Sequence, residues 1–125
     1  MVRAVAALSL VYDAVAGSTL LVAPAASESL FGLAPADPPI YGQLNGIFLL
    51  AVGLGYILPY RDPVRYRAYL WIFGVLLKSA GAVVFIADYA WRAGPSAMLL
   101  FALCDAAVAA LTWWALLKSR GPAGT

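Results

Sequence analysis

Residues 69–87 read YLWIFGVLLKSAGAVVFIA, an apolar run whose single charge, Lys78, falls at its middle. At 1.5 Å per residue a helix of this length crosses about 30 Å of hydrocarbon, so the run predicts a membrane span. Three more runs of similar length occupy 4–23, 40–60 and 98–117. The second carries no charge, and the first and fourth carry one each, Asp13 and Asp105. The sequence therefore predicts an all-α integral membrane protein, an up-down bundle of four transmembrane helices forming one domain over 1–125. A water-soluble bundle would need a charged face on every helix, and these runs have none.

Composition agrees. The 125 residues are 64% hydrophobic and 11% charged, against roughly 45–50% and about 25% in soluble domains. So few polar side chains cannot cover a globule this small, which excludes a cytosolic enzyme, a secreted disulfide scaffold and a disordered tail. With no His and one Cys, the chain lacks the ligands for an ordinary zinc, haem or iron–sulfur site, so no metal or cofactor is expected. No phosphate-binding, dinucleotide or nucleophile-elbow motif is present, and no catalytic residue is assigned.

Between the first two runs, PAASESLFGLAPADPP contains prolines at 24, 35, 38 and 39, and its SESLFGL portion predicts a short interfacial turn with Leu30, Phe31 and Leu33 facing lipid. The second and third runs are joined by RDPVRYR, where Asp62-Pro63 predicts a tight turn. DYAWRAGPS joins the third to the fourth, and a polar tail over 118–125 follows. If the runs alternate, Arg3, Arg61, Arg65, Arg67, Lys118 and Arg120 lie on one side and Arg92 on the other. Positive charge stays in the cytoplasm, which predicts an inner (cytoplasmic) membrane protein with both termini inside. The same rule accounts for the three arginines of the loop, so no nucleic-acid partner is expected. Arg3, the apolar run after it and Ala23-Pro24-Ala25 resemble an export signal. The charge at Asp13 and the length of the run argue that residues 1–25 stay as a span.

Asp13 and Lys78 each lie about 15 Å from the inner end of their runs, and Asp105 about 14 Å from the outer end of its own. In a core about 30 Å thick all three meet near the midplane. An isolated charge there costs about 2.5–3.5 kcal/mol on the insertion scale, so Lys78 is expected to pair with a carboxylate from the first or fourth run. Helical spacing places Ser9, Asp13 and Gly17 on one face, Gly74, Lys78 and Gly81 on another, and Ala102, Asp105, Ala109 and Thr112 on a third. Gly42 and Gly46 form a GxxxG face beside Asn45. Asn45 is expected to make an interhelical hydrogen bond. Tyr12 and Tyr56 are read as packing aromatics with satisfied hydroxyls, and Cys104 as a small core residue.

Two carboxylates facing one ammonium leave a surplus of one negative charge. Two readings follow: a mid-membrane proton-binding site, or a buried ion-pair pin that fixes helix register. In functional terms these correspond to a small proton-linked carrier or channel, and to a non-catalytic accessory or assembly subunit working within a membrane protein complex or homo-oligomer. A third reading, a membrane enzyme or lipophilic-ligand binder, needs an apolar cleft near Tyr12, Tyr56 and Asn45.

The stretch GQLNGIFLLAVGLGYILPYRDPVRYRAYLWIFGVLLKSAGAVVF, residues 42–85, resembles the middle of small bacterial four-span proteins of the DoxX-like kind. In those a Gly-rich span leads through an Asp-Pro-Arg turn into a span holding a lone Lys. The resemblance centres on Asn45 to Lys78 and implies a four-helix bundle, often accessory to membrane redox complexes. This chain has neither cysteine pairs nor histidines, so a redox role would belong to a partner.

Overall fold

The computed structural model describes residues 1–120; of the tail expected over 118–125, everything from 121 on lies outside the described residues. Every regular element among the described residues is helical. Among the described residues four helices are long and apolar enough to cross a membrane: Val2–Val22, Ile40–Arg61, Arg67–Arg92 and Ala97–Lys118. They are called the first to fourth spans below. The chain is a membrane protein built as a four-helix bundle.

The first and second spans form one closely packed pair and the third and fourth another, with the first also packed on the fourth. Glycines permit the closest approach. A methyl group placed on Gly46 would stand 2.7 Å from the Leu21 amide nitrogen and 2.8 Å from the Gly17 carbonyl oxygen. One placed on Gly53 would stand 2.7 Å from the Ala14 nitrogen. Backbone therefore lies on backbone along this pair, which is how membrane helices gain dispersion contact when lipid offers no hydrophobic drive. Gly74 makes the equivalent room for Thr112 between the third and fourth spans.

Two spans depart from a regular α-helix, each for a local reason. In the second, Pro59 lacks an N–H and its ring crowds the carbonyl four residues back, so the helix tightens at Tyr56, whose N–H donates to the Gly53 carbonyl at 3.1 Å. In the third, Leu70–Leu77 is a π-helix. Its buried residues Leu70 and Gly74 continue into Lys78 and Ala82, one every four positions. An α-helix at 3.6 residues per turn would carry such a stripe steadily round its surface; the wider π-helical turn cancels that drift and keeps Lys78 facing inward.

The third span also runs on to Arg92, beyond the expected end at 87. Asp88 ended the apolar run but not the backbone ladder, and it pairs with Arg92 at 3.6 Å along the helix. Ala93, in the left-handed conformation at φ 52°, stops the helix, so DYAWRAGPS contributes only 93–96 to the connection. Between the first two spans the expected turn is a short helix, Pro24–Leu30, with Leu30 and Phe31 exposed and Leu33 half-buried. The Phe31 ring also meets Phe101 of the fourth span edge to face at 5.0 Å.

The arginine-rich end is tied together by side chains. Arg67 donates to Ser119 Oγ at 2.7 Å and to the Leu116 carbonyl, while Arg3 donates to the Arg61 carbonyl at 3.4 Å. Val2, Arg3, Pro63, Lys118 and Ser119 line one groove there, so both ends of the described chain and the Arg-rich turn share one end of the bundle.

Candidate functional site: a charge cluster among three helices

The first span supplies Ser9 and Asp13, one turn apart and both buried. Asp13 is only 1% exposed and Lys78 only 5%. Lys78 Nζ donates to Asp13 Oδ1 at 2.7 Å, and its second carboxylate, Asp105 Oδ1, stands 4.0 Å away. The ammonium also lies 4.9 Å from the centroid of the Tyr12 ring, within cation–π range. Asp13, Lys78 and Asp105, expected to meet, are thus brought together from three spans, and Tyr12, expected only as a packing aromatic, lies against them.

Room for the cluster comes from small neighbours. A methyl group on Gly81 would meet Asp105 Oδ2 at 2.9 Å, so the absent side chain is what lets this carboxylate lean toward Lys78. The Asp105 side chain keeps 17% of its surface exposed, against 2% for Asp13. The two carboxylates therefore differ: one is bonded and enclosed, the other is at arm's length and at the edge.

Tyr56 belongs to the centre of the bundle rather than to its periphery. It is fully buried, packs edge to face on Tyr69 at 5.2 Å, and shares the apolar cluster of Ala6, Val52, Leu70 and Leu116. Its hydroxyl, however, makes no hydrogen bond, which corrects the expectation of a satisfied group. Ser9 Oγ and Asp13 Oδ2 are likewise fully buried and unbonded. The nearby Tyr69 hydroxyl, by contrast, donates to the Val52 carbonyl at 2.6 Å.

Asn45 is not brought to the cluster. It is exposed on the flank of the second span, because Gly42 and Gly46, not Asn45, take the face that meets the first span. Its expected interhelical hydrogen bond is not formed among the described residues. Ser79 is exposed as well, on a shallow apolar groove between the third and fourth spans lined by Val75, Ala82, Ala106 and Trp113. Cys104 is half-buried and free.

Two participants escaped sequence reasoning. Gly53 extends the Gly42–Gly46 face, and its spacing of seven from Gly46 was a legible signal. Glu28, in the connecting helix, is 8% exposed; its Oε2 accepts the Ala36 N–H at 2.9 Å and its carbonyl accepts the Leu33 N–H at 2.9 Å. It folds the proline-rich connection back on itself over Gly42, whose missing side chain leaves space for Glu28 Oε1. The only sequence signal for it was an acidic residue in a linker that has no basic one.

Among the described residues no group of three His, Cys, Asp or Glu side chains converges as metal ligands would. Comparison with protein families, with curated proteins and with solved structures finds no match to this chain. The chemistry on offer is that of one buried ammonium and two unequal carboxylates.

Proposed function

We propose that this protein is a non-catalytic inner-membrane bundle, with both termini cytoplasmic, that serves as an accessory or assembly subunit of a membrane complex or homo-oligomer. In this reading the Lys78 cluster is the pin that sets the register of its helices. The observation that carries the proposal is the ammonium itself, bonded to Asp13 from the first span and facing Asp105 from the fourth. Such a contact specifies which helices meet and at what height, a use of buried polar groups well attested in coiled coils. The kinship with DoxX-like proteins is part of the same proposal and rests on residues 42–85 alone.

The competing reading, a proton-linked carrier, draws on Asp105, which is partly exposed and 4.0 Å from its cation. Liposomes separate the two. The native chain and a Lys78→Met, Asp13→Asn, Asp105→Asn triple variant would be reconstituted with an internal pH dye. The pin reading expects no protein-dependent proton flux from either, together with stoichiometric co-purification of a membrane partner, or of a second copy, in mild detergent. A flux shown by the native chain and lost in the triple variant overturns it in favour of the carrier.

A further inference from the structure

Among the described residues three fully buried polar side-chain atoms have no hydrogen-bond partner: Ser9 Oγ, Asp13 Oδ2 and Tyr56 Oη. A polar atom buried in an apolar interior without a hydrogen bond is costly, and a charged one more so, so three at one place call for an explanation. Their positions are linked. Ser9 and Asp13 lie one turn apart on one face of the first span. Gly53 is backed against the same face, at 2.7 Å from the Ala14 nitrogen and 3.1 Å from the Asp13 carbonyl carbon for a methyl group placed on it. Tyr56 follows Gly53 by three positions on a helix running the opposite way. One turn onward along the second span is one turn back along the first, so the Tyr56 side chain comes in beside Ser9 and Asp13.

We propose that this junction is a binding site for one internal water molecule, which bridges Ser9 Oγ, Asp13 Oδ2 and Tyr56 Oη. The donor and acceptor inventory fits. An ionised carboxylate can only accept, so the water donates to Asp13 Oδ2; it accepts the Tyr56 hydroxyl proton and gives its second hydrogen to Ser9 Oγ. Three hydrogen bonds is the usual complement of a buried water. A metal cation fits worse. Hard cations take about six or more oxygens, and here the Lys78 ammonium already sits on the other oxygen of the same carboxylate, at 2.7 Å. The consequence is architectural: the second span, whose 40–60 run has no charge, is joined through Tyr56 to a polar network that already links the other three. The inference does not depend on the chain being an accessory subunit.

Radiolytic hydroxyl labelling of the intact chain in detergent micelles, read by mass spectrometry, tests it. X-rays turn a bound water into a hydroxyl radical in place, so a tyrosine touching such a water is oxidised although bulk solvent never reaches it. Tyr56, with 0% of its surface exposed, should be oxidised at a rate within about tenfold of exposed Tyr41 and Tyr60, and Ser9→Val, which fills the water's place, should reduce that rate at least fivefold. Native Tyr56 as unreactive as fully buried Leu116 overturns the proposal without recourse to any variant, and would mean that the hydroxyls bond one another directly. Labelling undiminished in a folded Ser9→Val chain overturns it too, since the radical would then come from elsewhere.

Discussion

Gly46 and Gly17 meet with no side chain between them: a methyl group on Gly46 would stand 2.8 Å from the Gly17 carbonyl oxygen and 2.7 Å from Leu21 N. Both obstacles are backbone, and neither can turn aside as a side-chain tip can. Gly46→Ala is therefore expected to destabilise the bundle by about 1–3 kcal/mol, and Gly46→Leu to separate the first two spans outright. Unfolding in mixed micelles as a function of SDS fraction measures the first. Cysteine cross-linking between positions 20 and 47 reports the second, and undiminished cross-linking in Gly46→Leu would refute the close crossing.

Lys78→Met keeps the length of the stem while leaving Asp13 without its cation. Breaking a buried ion pair from one side typically costs about 3–5 kcal/mol, and that is the loss of stability expected here. Adding Asp13→Asn and Asp105→Asn removes the orphaned carboxylates and should restore most of it. The same unfolding assay on the single and triple variants decides the matter: a triple variant as unstable as Lys78→Met alone would show that the three groups do not compensate one another.

Gly81→Ala probes the looser half of the cluster. The added methyl would meet Asp105 Oδ2, at 2.9 Å, and the backbone of no neighbouring span among the described residues within 4 Å, so the carboxylate swings away and the backbone stays. We expect a cost of about 1 kcal/mol in the native chain and almost none when Asp105 is already alanine, a coupling that a double-mutant cycle reads directly. Equal costs in both backgrounds would mean that the Asp105 carboxylate does not use the space at Gly81.

Tyr69→Phe removes the donor to the Val52 carbonyl, a bond of 2.6 Å. A loss of about 0.5–1.5 kcal/mol is expected. Gly55→Ala would drive a methyl group into that same hydroxyl, so the two substitutions should not add. Hydrogen exchange is the complementary check, with faster exchange expected in the second span of either variant.

How far the sequence could be read depends on which physical signal each element carries. Four runs of spanning length announce themselves through hydropathy, and the observed helices match them to within two residues at every end but one. The exception is the far end of the third, where a charged residue stops an apolar run without stopping a helix, as Asp88 and Arg92 show. The pairing of Lys78 was legible because a lone ammonium in hydrocarbon must find a carboxylate, and helix depth left few to choose from. The π-helical Leu70–Leu77 was not legible, since apolar side chains all round a helix leave no periodic pattern from which a change of turn could be seen. Asn45 misled for a related reason. Polarity suggested an inward face, but the glycines beside it were the residues that the packing needed.

The ion pair also has a place in time. Asp13 precedes Lys78 by 65 positions. At ribosomal speeds of roughly 5–20 residues per second, the carboxylate is made about 3–13 s before the ammonium that will neutralise it. Through that interval the nascent first span has only apolar residues, its own and then those of the charge-free 40–60 run, to offset a charge worth about 2.5–3.5 kcal/mol against insertion. The first helix must therefore be able to enter the bilayer with its carboxylate unpaired, or wait at its edge, and the third helix brings the counter-charge on arrival. A bond that reads in the finished molecule as a matter of register is, during biogenesis, a debt carried from the first span to the third.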